Sequence, residues 1–277
     1  MYNTPKWMKV LQYLAMTVVA LFMFFPIYWI FCNSLKTLTG ISAFPPELFP
    51  SNPHWENYKE VLSKPSTLLY LRNTLILVVF NTVGTLISSS IVAYPLARMR
   101  FRGRGAVFTI IILTMMVPTA TLIVPEYLMF RVFGMLDTFW PHILPSCFAQ
   151  PYNVFLFRQF FISIPKDLDN AARIDGAGEF RIFLQIILPN SVPAILTVGM
   201  FNFMGNWNDL LWPLIMTSKP ETRTITAGLA MLTGHGSSVT PYGVVMAGAL
   251  ISALPLIIVF FFVQKRFVEG IAMTGMK

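Results

Sequence analysis

A helix that crosses about 30 Å of hydrocarbon needs about 20 mainly apolar residues. Six stretches of this chain meet that requirement: residues 10–33, 73–97, 106–130, 139–157, 190–216 and 242–263. No other feature constrains the fold as strongly, because a backbone in lipid must satisfy its own hydrogen bonds, and only helices or closed barrels do so. Composition points the same way. Of the 277 residues 55% are hydrophobic and 12% charged, against roughly 25% charged in a soluble domain. So few solvated side chains cannot cover a water-exposed surface. The chain is expected to be an all-α integral membrane protein, a single domain over residues 1–277 with six transmembrane helices.

Charge selects an orientation. With both termini in the cytoplasm, thirteen of the 20 lysines and arginines fall on the cytoplasmic side, as the positive-inside rule requires. The short segment 98–104, with four arginines and no acid, is the clearest marker. The net charge of +8 does not indicate nucleic-acid binding, because the basic residues sit at the ends of apolar runs and not on one soluble face. Lys6 and Lys9 precede the apolar run 10–32 as in a secretion signal, but the run is long enough to span and lacks a small-x-small cleavage site, so an uncleaved signal anchor is expected. Cys32 and Cys147 both fall in apolar stretches and are expected to be buried packing residues, not a disulfide or metal site. The outer segments, such as Phe44-Pro45-Pro46-Glu47 and Asn52-Pro53-His54-Trp55, are turn-rich and too short to form a domain.

Residues 164–188, between the fourth and fifth stretches, have a different character. Pro165 suits a first helical turn, and Asp167 and Asp169 lie at the positive end of the helix dipole. Gly176 supplies the left-handed residue that stops a helix, and a second helix runs from Glu179 to about 188, closed by Pro189. The pattern predicts a helix-turn-helix outside the bilayer, with small residues at Ala171 and Ala172 where another backbone can approach closely. A DNA-binding role is disfavoured because the segment joins two membrane spans. A plain amphipathic surface helix is the alternative that periodicity leaves open.

The order Asn170-Ala171-Ala172, Asp175-Gly176-Ala177 and Leu188-Pro189 resembles the "EAA" loop of permease subunits of bacterial ATP-binding-cassette importers: Glu-Ala-Ala, three residues, Gly, and later Leu-Pro. Tyr94-Pro95-Leu96-Ala97-Arg98, Phe101-Arg102-Gly103-Arg104, Trp207-Asn208-Asp209 and the tail 264–277 with Phe267-Val268-Glu269-Gly270 look like the carbohydrate-uptake branch. Nearly the whole chain is covered, and it is most similar to the shorter membrane subunit of maltose-type transporters. The resemblance implies a type I importer permease fold in the bacterial inner membrane, with a cytoplasmic coupling helix that docks into a cleft on an ATPase subunit. It assigns ATPase coupling to Asp169, Asn170, Ala171, Ala172, Asp175, Gly176 and Ala177. The implied partners are a second homologous permease as heterodimer, two ATPase subunits and an extracytoplasmic sugar-binding protein. ATP and Mg belong to the ATPases, and this chain binds no cofactor. The implied activity is import of an oligosaccharide or polyol derivative by alternating access. One departure stands out: Asn170 occupies the usual glutamate position, which removes a charge able to make a strong hydrogen bond. Asp167 and Asp169 are expected to supply the acidity.

Ionisable groups within a bilayer are functional candidates by default, and Glu126 and Asp209 qualify. Asn202, Asn206 and Asp209 recur at i, i+4 and i+7 and share one helical face. That face is a candidate path for sugar hydroxyls, with interhelical hydrogen bonding of about 1–2 kcal/mol per contact as the alternative. Trp207 and Trp212 are expected to be interfacial anchors. Prolines 118, 125, 141, 145 and 151 break the third and fourth spans, so those helices are expected to face protein, and a cavity at their bends is a candidate substrate site. No Gly-Lys pair is followed by Ser or Thr, so ATP binding by this chain is not expected. His54, His142 and His235 are scattered without metal spacing or an adjacent nucleophile, which argues against an enzyme. An ion-gradient-driven secondary transporter is the alternative. It would need an intramembrane cation site and internal repeats.

Overall fold

A computed structural model describes residues 5–234 and 240–274, with side chains for 5–233 and 240–264. Every regular element among the described residues is a helix. In chain order the principal ones are α1 (Lys6–Ser34), α2 (Glu56–Ser63), α3 (Pro65–Arg98), α4 (Arg104–Thr114), α5 (Thr119–Val132), α6 (Trp140–Ser146), α7 (Pro151–Ser163), α8 (Lys166–Ile174), α9 (Glu179–Asn190), α10 (Val192–Asn208), α11 (Leu211–Met216), α12 (Ile225–Gly234) and α13 (Tyr242–Thr274).

Three helices, α1, α3 and α13, are each long and apolar enough to cross a membrane, and two more spans arise if the bent pairs α4–α5 (91°) and α9–α10 (78°) each count as one. The expected fourth span, 139–157, is not a continuous helix but the pair α6 and α7, and three to five candidate spans, not six uninterrupted ones, occur among the described residues. Pro145 inside α6 lacks an amide donor and its ring crowds the preceding turn, while Pro151 opens α7 after the extended Gln150, where a missing donor is tolerated. The backbone groups freed at this break find partners on α3. Ser88 donates its hydroxyl to the Ser146 carbonyl at 3.1 Å, and the Gln150 N–H donates to Ser89 Oγ at 3.2 Å. Gly84 makes the approach possible, since a Cβ there would stand 2.7 Å from Ser146 Oγ.

Contacts group the chain into two compact units, Met1–Leu68 with Gly228–Leu254, and Leu69–Ala227 with Pro255–Lys277. In the first, the most apolar stretch of α1 has none of its residues buried, a surface that suits lipid and not water. Beyond α1 the chain is pinned by polar contacts. Asn57 Nδ2 donates to the carbonyls of Ser34 and Lys36 at 2.9 Å each, while Lys36 Nζ reaches Asn33 Oδ1 at 3.0 Å. Val61 packs there against Val244 and Ala247.

The second unit is built on α3. Its core includes Phe157, Phe161, Ile182 and Ile187, all fully buried. A stripe of polar side chains along α3 reaches its neighbours. Asn73 Nδ2 donates to the Glu221 and Arg223 carbonyls at 2.8 and 3.0 Å, and Thr74 Oγ1 accepts from the Ile225 N–H at 2.9 Å. In an apolar surround such bonds hold helices in register.

Two expectations are corrected. Trp207 is 1% exposed and stacks on Phe203, so its ring packs inside the protein and not at a lipid interface, whereas Trp212 is half-buried and donates its indole N–H to the Pro141 carbonyl at 3.0 Å. Cys32 is buried, but Cys147 is exposed because it falls at the proline break. The side chains of the tail motif Phe267-Val268-Glu269-Gly270, and His235, lie outside the described residues.

Candidate functional site

The segment between α7 and α10 forms the expected elbow, with α8 and α9 on either side of Gly176. Gly176 adopts φ +80°, the left-handed region that costs glycine little. Around it the Gly176 N–H donates to the Arg173 carbonyl at 3.1 Å, and the Ala177 N–H to the Ala172 carbonyl at 2.9 Å. These two bonds satisfy carbonyls that the end of α8 leaves without helical partners. In α9 a wide turn at Phe183–Ile187 relieves the clash that Pro189 would otherwise make with the carbonyl four residues before it.

The elbow divides the expected coupling residues between two faces. Asn170, Ala171, Asp175 and Gly176 are exposed and Ala177 is half-buried, whereas Asp169 (2% exposed) and Ala172 (9%) turn inward. The spacing explains this: residues three apart share a helix face, and here that face packs on the core of α3 and α7. Asp169 therefore does not add acidity to the outer surface. Sequence reasoning missed two apolar side chains on that surface, Ile174 (86% exposed) and Phe180 (70%).

Asp169 meets Arg98, the last residue of α3. Arg98 Nε and Nη2 donate to the two carboxylate oxygens at 2.8 Å each, with side chains 0% and 3% exposed. Nη1 donates to the carbonyls of Phe161 and Ile164 at 3.0 and 2.7 Å, and Nη2 also to that of Pro165 at 3.1 Å. One turn earlier, Tyr94 donates its hydroxyl to Glu179 Oε2 at 2.7 Å, and Arg173 Nε donates to Glu179 Oε1 at 2.9 Å. The Arg173 guanidinium, and then the Tyr94 hydroxyl, hold the Glu179 carboxyl below the usual carboxylate range, and the same carboxylate raises Arg173. Beside this network lies a cavity of about 740 Å³ lined by Arg98, Arg100, Arg104, Lys166, Asp169, Asn170, Arg173 and Glu179. The sequence placed Arg98 in a charge count and at the end of the Tyr94-Pro95-Leu96-Ala97-Arg98 motif, and neither gave it a partner. Its position one helical turn after Tyr94 was the available signal.

Asn202, Asn206 and Asp209 do converge. With Gln150, Tyr152, Asn153, Phe201 and Gly205 they line a second cavity of about 390 Å³. The amides also bridge helices: Asn81 Nδ2 donates to Asn206 Oδ1 at 2.8 Å, and Asn153 Nδ2 to Asn202 Oδ1 at 3.4 Å. Asn202 and Asn206 thus each join two helices and also line this cavity. Asp209 caps the end of α10, with its carbonyl accepting from Thr226 Oγ1 at 2.7 Å. Glu126, half-buried on α5, is not among the lining residues. Tyr152 and Phe201 add ring faces to a wall otherwise rich in amides, a lining suited to a polyhydroxylated ligand. No group of three or more His, Cys, Asp or Glu side chains gathers as a metal site among the described residues.

Residues 85–272 match a family described as "Binding-protein-dependent transport system inner membrane component". The chain is 32% identical over 267 residues to the arabinooligosaccharides transport system permease protein of Bacillus subtilis (strain 168), covering 94% of this chain and 92% of that one. It is 35% identical over 257 residues to the sn-glycerol-3-phosphate transport system permease protein of Brucella abortus (strain 2308), covering 90% and 91%. Among solved structures it is similar to a chain of a bacterial ABC transporter involved in the import of the acidic polysaccharide alginate, with a TM-score of 0.83, 26% identity, and 96% and 99% of the two chains covered. It shares its fold with a chain of a bacterial alginate ABC transporter in complex with an alginate pentasaccharide-bound periplasmic protein, with a TM-score of 0.65, 15% identity and 92% of each chain covered.

Proposed function

The chain belongs to the binding-protein-dependent transport system inner-membrane components, and from that premise we propose that it is the permease subunit of an ATP-driven importer of an oligosaccharide or polyol derivative. It forms half of the translocation pathway, as one permease domain with both termini in the cytoplasm. A second, homologous permease supplies the other half, an extracytoplasmic binding protein delivers the sugar, and two ATPase subunits carrying ATP and Mg drive the cycle. The chain itself catalyses no reaction. The sugar and glycerol-derivative transporters among its relatives support the substrate class.

One observation carries this reading. The elbow presents Ala171, Ile174 and Phe180 outward from a segment whose inner face is bonded to α3 through Asp169 and Glu179. Apolar side chains exposed on this polar turn support its reading as a protein-docking surface. The substrate path runs past the amide-lined cavity at Asn202, Asn206 and Asp209.

The test is cross-linking in membranes that contain the full complex, with a single cysteine at Ala171 or Ile174 and one in the ATPase cleft. The reading expects a cross-link at both positions and loss of ATPase co-purification in Ala171→Trp. An ATPase that co-purifies undiminished with Ala171→Trp and cross-links at neither position would contradict it.

A further inference from the structure

We propose that Arg98 and Tyr94 are positioning residues that make α3 the helix through which the elbow's movement reaches the substrate cavity. The proposal rests on the reading that the elbow docks an ATPase, and adds the route by which that docking is felt inside the membrane.

Arg98 uses all five of its guanidinium N–H donors. Two go to Asp169 on α8, and three go to the carbonyls of Phe161, Ile164 and Pro165 where α7 ends and α8 begins. Those carbonyls lie where helical partners run out, so the one side chain closes the end of α7 and grips α8 together. Tyr94, one turn earlier on α3, grips the other limb through Glu179, and Glu179 is tied back to α8 through Arg173. The ring of Tyr94 also packs on Phe183 of α9, with centroids 5.1 Å apart. The bonds Arg98–Asp169, Arg173–Glu179 and Glu179–Tyr94 form a circuit that fastens both limbs of the elbow to the last two turns of one helix.

The same helix reaches the substrate cavity. Asn81, about four turns earlier on α3 by helical rise, donates to Asn206, which lines the cavity. A push on α8 that leaves the circuit intact must therefore carry α3, and the Asn81–Asn206 contact is where the cavity wall receives it.

The experiment uses the reconstituted full complex with spin labels at Leu168→Cys on α8 and Ile91→Cys on α3, both exposed positions, in a Cys32→Ala, Cys147→Ser background. The distance between the labels is measured with and without ATP. With the clamp intact the distance is the same in both states, because α8 and α3 move as one piece. In Arg98→Gln the ATP-bound distance shifts or broadens, and sugar imported per ATP hydrolysed falls about tenfold, while Asp169→Glu, which keeps the ion pair, retains most of that ratio. An intact-clamp distance that changes with ATP overturns the proposal, as does an Arg98→Gln complex with the unmodified import ratio. If Arg98→Gln does not assemble, the measurement on the intact clamp decides alone. Uptake that never depends on ATP refutes the docking premise, whereas ATP-driven uptake with a slipping label distance refutes only the clamp.

Discussion

Arg98 and Asp169 stand 71 positions apart in sequence and meet through two hydrogen bonds of 2.8 Å, with neither side chain more than 3% exposed. Withdrawn from water, each charge depends on the other. The pair ties the end of the second long apolar helix to the polar segment between α7 and α10.

Removing one partner leaves the other charge buried without compensation, which costs about 3–5 kcal/mol, while replacing both by apolar residues of similar size is far milder. Asp169→Leu and Arg98→Leu are each expected to lower the melting temperature of the purified complex clearly, and the double variant by less than the two combined. Single variants that melt like the unmodified protein would contradict the burial seen here.

Nothing lies within 4 Å of the position a Cβ would take at Gly176, so its φ of +80° is the sole obstacle to substitution. A branched side chain in that region costs about 1–2 kcal/mol, whereas asparagine tolerates it. Gly176→Asn is expected to keep uptake near normal, and Gly176→Val to insert in the membrane while losing coupling of uptake to hydrolysis. Both are read as sugar imported per ATP in vesicles.

The amide-lined cavity predicts a graded series. Asn202→Ala and Asp209→Asn are expected to raise the KM for uptake with binding-protein affinity unchanged, and Glu126→Gln to leave uptake unaltered because Glu126 does not line the cavity. Asn81→Ala removes one interhelical bond, worth about 0.6 kcal/mol on average, and is expected to alter transport more than stability.

Glu179 gives the elbow a pH signature. Its carboxyl is held below the usual range by Arg173 and Tyr94. The stabilisation is therefore fully present above the ordinary glutamate value of about 4.3 and is lost as pH falls through the lower folded value. Amide protection in residues 174–182, taken relative to the intrinsic exchange rate at each pH, is expected to be flat from neutral pH down to about 5 and to fall below the ordinary value. Glu179→Gln should show reduced protection throughout.

Much of this architecture is legible in the residues. The apolar runs behind α1, α3 and α13 are long enough to be read directly, and the elbow shows because Pro165, the early aspartates and Gly176 each act within one turn of chain. The break between α6 and α7 was visible as prolines, but its resolution by Ser88 and Ser89 was not, because those hydroxyls sit about 60 residues away. Asp169 was assigned to an outer surface on motif position alone. Its inward turn depends on Arg98, and a pairing across that distance leaves no local pattern. The same holds for Trp207, whose burial depends on its tertiary neighbours and not on its place near the end of an apolar run.

The most direct test of the account is uptake of labelled sugar into liposomes holding the complete complex, compared with liposomes holding this chain alone. The account predicts uptake only in the complete complex, only with ATP on the ATPase side, and its loss in Gly176→Val with hydrolysis retained. Uptake by the isolated chain, driven by an ion gradient without ATP, would contradict it.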